Sequence, residues 1–203
     1  MKTQLCALAS GLALAFAGAA AYAGSTADTY QSGFNNDASI TQAYNTAATA
    51  SIVQEGNQNV ASADQTNVHG KADIYQAGFN NSAKVEQQST GANSKIVQQG
   101  DQNVASTDQR YGYAQYADIY QSGFNNSAKA TQSSVAYAES QIIQQGNQNV
   151  ANTSQKNGWD QEAKIYQAGF NNSAAITQTG AFLTASTVQQ GNQNVSTITQ
   201  KGW

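Results

Sequence analysis

One pattern, QxGxxNx[AS]xxxQ, recurs eight times between Gln31 and Gln200 of this 203-residue chain, with its first Gln at 31, 54, 76, 98, 121, 144, 167 and 189. The pitch is 22 or 23 residues throughout, the range of solenoids, in which each unit buries its apolar face only against its neighbours. Such a chain is a stack of one unit, with no separate catalytic domain written over it. Composition alone would argue for disorder: charged residues make up 10%, and Gln, Asn, Ser, Thr, Ala and Gly dominate after residue 23. A disordered tract needs no fixed phase, however, and here the Gln, Gly and Asn positions keep theirs through all eight units.

Residues 1–23 differ from the rest. Lys2 gives a positive start, Leu5 to Ala20 form a short apolar run, and Ala21-Tyr22-Ala23 has the small-x-small form of a signal-peptidase site. This predicts a signal peptide over 1–23 and a single exported repeat domain over 24–203, its units starting near residues 25, 48, 70, 92, 115, 138, 161 and 183. The run is too short and alanine-rich for a retained anchor, so no integral membrane segment is expected in the exported chain. Cys6, the only cysteine, lies in the predicted leader. No disulfide or cysteine–metal framework can then hold the mature chain together. Loss of Lys2 takes the net charge from −3 to −4, which disfavours nucleic acid as a partner.

Each unit divides into two seven-residue arms joined by a Gly/Asn turn, and every second residue of an arm belongs to a restricted set, the alternation of a strand. In the third unit the inward set is Gly70, Ala72, Ile74 and Gln76, then Asn81, Ala83, Val85 and Gln87. The outward set is Lys71, Asp73, Tyr75, Ser82, Lys84 and Glu86. A slip of one residue would bury Asp73, Lys84 and Glu86 in a thin core without partners, so register is strongly specified. The expected fold is all-β: a β-solenoid of eight stacked strand-turn-strand rungs with cross-β, amyloid-like spacing of about 4.8 Å, roughly 38 Å tall.

Little apolar surface fits in such a rung, so amide ladders must supply part of its stability. The candidate ladder residues are Gln31, Gln54, Gln76, Gln98, Gln121, Gln144, Gln167 and Gln189 in the first arms, and Gln42, Gln65, Gln87, Gln109, Gln132, Gln155, Gln178 and Gln200 in the second. Asn36, Asn59, Asn81, Asn103, Asn126, Asn149, Asn172 and Asn194 follow the turn glycines Gly33, Gly56, Gly78, Gly100, Gly123, Gly146, Gly169 and Gly191. Stacked amides donate to one neighbour and accept from the other, a net of about 1 kcal/mol per satisfied bond.

Odd and even units differ. Odd units read YQ[SA]GFNN, with Tyr30, Tyr75, Tyr120 and Tyr166 before the Gln; even units read [VI]Q[QE]G[ND]QNV, with Val53, Val97, Ile143 and Val188 there. The true period is two rungs, and a Tyr stacked on a β-branched residue makes a favourable outer-face pair.

These units resemble curlin repeats, the Ser-x5-Gln-x-Gly-x2-Asn-x-Ala-x3-Gln modules of bacterial curli subunits, from Ser25 to Gln200. Seven units keep Gln, Gly, Asn, Ala and Gln at that spacing, and the eighth changes only Ala to Ser196. The leading Ser survives only as Ser25; Ala48, Gly70, Ala92, Gln115, Ala138, Gln161 and Leu183 replace it, so that site reads as permissive. The resemblance implies an extracellular functional amyloid for biofilm matrix and adhesion. It further implies export through a dedicated outer-membrane channel and a second curlin subunit as partner. The alternatives are a cell-attached nucleator that templates a partner subunit and, more remotely, a monomeric ligand-binding solenoid.

The ends point to self-assembly, because a solenoid without terminal caps exposes unpaired strand edges, and stacking of first rung on last is a heterologous contact that does not close. Asp64, Glu86 and Asp108 occupy one outward position in three successive rungs, with Lys84 beside them. They are read as gatekeepers whose repulsion delays assembly, so that replacing all three with Asn shortens the fibrillation lag. His69, the only histidine, falls in a linker and is read as a solvated loop residue. No phosphate loop, nucleophile elbow or calcium repeat is written in the chain. Neither an enzyme, a cofactor nor a metal is expected.

Overall fold

The computed structural model describes residues 24–202; the predicted leader lies outside them. Fourteen strands follow in chain order: β1 (Thr26–Phe34), β2 (Asp37–Ala43), β3 (Thr49–Asn57), β4 (Val60–Thr66), β5 (Lys71–Phe79), β6 (Ser82–Thr90) and β7 (Asn93–Asp101), then β8 (Val104–Tyr113), β9 (Tyr116–Phe124), β10 (Ser127–Asn147), β11 (Val150–Phe170), β12 (Ser173–Thr179), β13 (Leu183–Asn192) and β14 (Val195–Lys201). β10 and β11 each run through a linker, so that the second arm of one rung continues into the first arm of the next. The result is an all-β solenoid of about eight rungs.

Every strand pair is parallel. First arms stack as β1, β3, β5, β7, β9, then the later halves of β10 and β11, then β13; second arms stack as β2, β4, β6, β8, the earlier halves of β10 and β11, β12 and β14. Motif residues sit over motif residues, Gln31 over Gln54 and Gly33 over Gly56. Length differences are absorbed outside the arms: the one register shift lies in a linker, between Gln88 and Thr90.

The core is narrow. One column of isoleucine, Ile52, Ile74, Ile96, Ile119, Ile142 and Ile165, runs up the first arms at no more than 2% exposure. Across from it stand small or mid-sized residues such as Ala63, Val85, Thr107, Ala130 and Thr153. Where a core threonine appears, a serine in the same rung answers it: Ser94 with Thr107 at 2.7 Å, Ser140 with Thr153 at 2.5 Å, and Ser196 with Thr187 at 3.2 Å. Each hydroxyl is thereby satisfied without water. No Asp, Glu, Lys or Arg is buried among the described residues, as the register argument requires.

The turn between arms is an arch in which glycine is obligatory. The eight turn glycines have φ between +99° and +131°. In the first seven, an added Cβ would fall 1.8 to 2.2 Å from the carbonyl oxygen of the next arch glycine. Two residues on, Asn35, Gln58, Asn80, Gln102, Asn125, Gln148, Asn171 and Gln193 also adopt left-handed φ of 55° to 58°. Asparagine is the cheaper choice there, and the odd units use it.

Candidate functional site: amide ladders and open rung ends

Three amide ladders run the length of the stack. In the first arms each Gln donates from Nε2 to the Oε1 of the next Gln, from Gln31 to Gln189, at 2.7 to 2.9 Å. A second ladder runs from Gln42 to Gln200 at 2.8 to 3.1 Å with the same polarity. Except at Gln31, the other N–H of these amides reaches a backbone carbonyl of the facing arm, for example Gln121 to Val104 O at 3.0 Å and Gln132 to Tyr116 O at 2.9 Å. That second bond fixes which way the amide points. Both glutamine columns are buried in the central rungs, so each bond forms where an unmet partner would cost roughly 1 to 3 kcal/mol.

The Asn ladder runs the opposite way. Oδ1 of each Asn accepts the backbone N–H of the Asn one rung later at 3.0 to 3.1 Å and that residue's Nδ2 at 2.9 to 3.2 Å. Nδ2 also donates to the glycine carbonyl one rung later, as from Asn126 to Gly146 O at 2.7 Å. The arch is thus closed by glycine, which leaves room for the carbonyl, and by asparagine, which binds it.

Alternation of odd and even rungs has a hydrogen-bonding cause that reading the unit one at a time misses. Tyrosine hydroxyls of odd rungs donate to the residue after the Gln in the preceding even rung: Tyr75 to Glu55 at 3.0 Å, Tyr120 to Gln99 at 2.9 Å and Tyr166 to Gln145 at 3.0 Å. The Glu55 bond also raises the Tyr75 pKa. Turn phenylalanines of odd rungs donate their N–H to the side chain after the glycine in the following even rung: Phe34 to Asn57, Phe79 to Asp101 and Phe124 to Asn147, at 3.0 to 3.1 Å. The [QE] and [ND] letters that occur only in even units are the acceptors for these donors. Tyr and β-branched residues stack as expected, Tyr75 between Val53 and Val97.

The acidic column is partly neutralised. Asp64, Glu86 and Asp108 lie in register. Lys84 and Arg110 both pair with Glu86, and Arg110 Nε lies 2.5 Å from Asp108. The Lys84 hydrogen bond, seconded by Arg110, holds the Glu86 carboxyl below its ordinary pKa. Arg110 reaches this column from a linker, which is why its role is not legible in the arm pattern. His69 is exposed and its ring nitrogens face the Thr46 hydroxyl. Among the described residues no group of three or more His, Cys, Asp or Glu is placed to hold a metal ion.

Sequence reading treats the linkers as connectors and the leading-Ser site as permissive; in the structure that edge is a second closed wall. Ala48, Ala92, Gln115, Ala138 and Gln161 at the leading site are all at least 99% buried. A second residue, nearer the start of the linker, shares the space and varies inversely in size. Val135 accompanies Ala138, while Gly112 accompanies Gln115 and Gly158 accompanies Gln161; a Cβ on Gly112 or Gly158 would meet the glutamine Nε2 at 2.3 or 2.6 Å. Gln115 donates to Val135 O at 3.1 Å and Gln161 to Lys156 O at 3.1 Å, yet the Oε1 of each is buried without a partner. Outside this wall Tyr113, Tyr137 and Trp159 form an exposed aromatic file with centroid spacings of 5.7 and 4.8 Å.

The ladders stop at both ends. Among the described residues β1 and β2 pair only with β3 and β4, and β13 and β14 only with β11 and β12. Ile40 and Ile198, buried equivalents in other rungs, are only partly covered here. The chain matches no family model and no curated protein.

Proposed function

We propose that this chain is a structural subunit of an extracellular, curli-like functional amyloid fibre that polymerises head to tail for biofilm matrix and adhesion. One observation supports this most: the internal contact between rungs is a complete, repeated, in-register interface, and the outer edges of the first and last described rungs present the same strands and amides unpaired. Such an edge is a template for another chain. Its natural partner is a second copy of this chain; a second curlin-like subunit and an outer-membrane secretion channel complete the reading by resemblance alone. The amides at the ends act as polymerisation groups and those between them as the frame.

The test is direct. The chain from Gly24 onward, purified in denaturant and diluted out of it, is expected to form fibres by electron microscopy with a meridional reflection near about 4.8 Å. A concentrated solution that stays monomeric and binds no amyloid dye defeats the proposal.

A further inference from the structure

The hydrogen-bonding groups left over at the two ends differ, and they are complementary. Among the described residues, Gln31 Oε1 and Gln42 Oε1 on the first rung accept no bond, the Asn36 backbone N–H has no asparagine Oδ1 to reach, and the Tyr30 hydroxyl has no partner. On the last rung, again among the described residues, Gln189 and Gln200 each retain one Nε2 hydrogen after binding Ser173 O and Thr184 O, Asn194 Oδ1 accepts nothing, and Gln190 accepts no tyrosine. Seven internal junctions show what the glutamine and asparagine groups bind when a neighbour is present, and three show it for the tyrosine hydroxyl.

From this we infer that the growth contact has one polarity and one phase: the last rung of one copy receives the first rung of the next, with Tyr30 of the incoming copy donating to Gln190. The inference rests on the fibre reading above and specifies its junction. Gln189 and Gln200 donate to Gln31 and Gln42 of the incoming copy, continuing both glutamine ladders. Asn36 of that copy donates to Asn194 Oδ1, continuing the asparagine ladder in its opposite sense. Gly191 is the only arch glycine whose missing Cβ faces open space, the nearest atom being 3.8 Å away; the others face the carbonyl of the next arch. The slot beside Gly191 therefore takes the Gly33 carbonyl. First rung on first rung would set acceptor against acceptor at Gln31 and Gln42, and last on last would set donor against donor; bonds to Thr26 O, Ser173 O and Thr184 O oppose a flip of Gln42, Gln189 and Gln200, and the bond to Gln54 Oε1 holds the Gln31 amide.

Phase follows as well. The first rung is of the tyrosine type and the last of the acceptor type, with Gln190 where Glu55, Gln99 and Gln145 stand. A junction thus repeats the even-to-odd step found between Gln99 and Tyr120 inside the chain.

Polarity is read by cross-linking. In the chain from Gly24 onward, which has no cysteine of its own, Asp28→Cys and Ser186→Cys place thiols on outward positions that the proposed junction sets directly opposite, at a strand separation a disulfide can span. Fibres grown from a mixture of the two variants and then oxidised should yield covalent pairs containing one of each, while fibres of either variant alone should yield none. Pairs from Asp28→Cys alone, or no pairs from mixed fibres, overturn the polarity while leaving fibre formation standing. Absence of fibres in the unmutated chain defeats the functional reading instead.

Phase is read from seeded elongation. Tyr30→Phe and Gln190→Ala should each slow it by roughly two- to tenfold, the worth of one hydrogen bond. The double variant should be no slower than the slower single, and Tyr120→Phe, inside the stack, should leave elongation unchanged. Multiplying effects of the two singles overturn the Tyr30–Gln190 contact.

Discussion

The two edges of a rung are closed with equal tightness by different means. At the arch, one solution is used eight times: glycine at left-handed φ, asparagine three residues later, and a carbonyl of the next rung in the space a Cβ would fill. At the linker edge, Val135 with Ala138 and Gly158 with Gln161 fill the same volume with opposite distributions of size. Gly70, Gly112 and Gly158 in the linkers are as crowded as the arch glycines: a Cβ would fall 1.9, 2.1 and 1.7 Å from the carbonyl oxygens of Ala92, Val135 and Gly180. Repetition in this sequence therefore marks where only one packing works, and divergence marks where several do. Neither marks looseness.

The sharpest way to break that distinction is to add one methyl group at the arch. Gly123→Ala must place a Cβ 2.0 Å from Gly146 O at a φ of +119°. Backbone strain and overpacking together should cost about 3 to 5 kcal/mol, read as lost protection from amide hydrogen exchange in the rungs on either side. A variant as stable as the parent would show that the arch glycines are not demanded by stacking. Asn126→Ala should come next, at about 2 to 4 kcal/mol. It removes donors to Asn103 and Gly146 O and leaves the Asn149 N–H without its acceptor. No second substitution nearby is expected to rescue either change.

At the linker edge rescue is the expectation. Ala138→Gln, with Val135 in place, overfills a site that is 99% buried and should cost about 1 to 3 kcal/mol. Adding Val135→Gly recreates the pairing of Gly112 with Gln115 and should return the double variant to within about 1 kcal/mol of the parent. Denaturant midpoints of the two singles and the double make the cycle. Additive losses would mean that the inverse sizes are coincidence and that the linker edge is as singular as the arch.

Much of the rung was legible in the sequence because its stabilising contacts join like to like. Gln over Gln, Asn over Asn and Gly over Gly appear as simple recurrence, and exclusion of charge from alternate positions fixes which face is inward. Tyr over Val showed through the alternation of units, but hydrogen bonds and size exchanges between unlike residues did not. Tyr120 and Gln99 stand in different units at different motif positions, so only the joint appearance of Tyr in odd units and [QE] in even units signals their bond. The size exchange between Gly158 and Gln161 is hidden similarly, in a segment whose length also varies. Arg110 belongs to a linker by sequence, but its side chain lies back over the second arm between Asp108 and Glu86. A long side chain can leave its own position in the pattern, and periodicity cannot follow it.

The outer face between the two edges should respond least of all. Glu86 is held by Lys84 and Arg110, which lower its pKa from the ordinary 4.5. A depressed carboxyl contributes stability above its unfolded pKa and loses it as pH falls through the folded value. Glu86→Gln should therefore cost under about 1 kcal/mol at pH 7, since Lys84 and Arg110 are exposed and Glu86 is only half-buried. The difference from the parent should disappear well below 4.5 and shrink with added salt. The same neutralisation bears on assembly. With Arg110 and Lys84 paired to Glu86 and Asp108, part of the repulsion expected of a bare acidic column is already offset. Arg110→Gln should consequently lengthen the fibrillation lag at low salt, and replacing the three acids with Asn in that background should shorten it again. A lag indifferent to both changes would remove charge from the control of assembly and leave the two edges, with the amides between them, as its sole determinants.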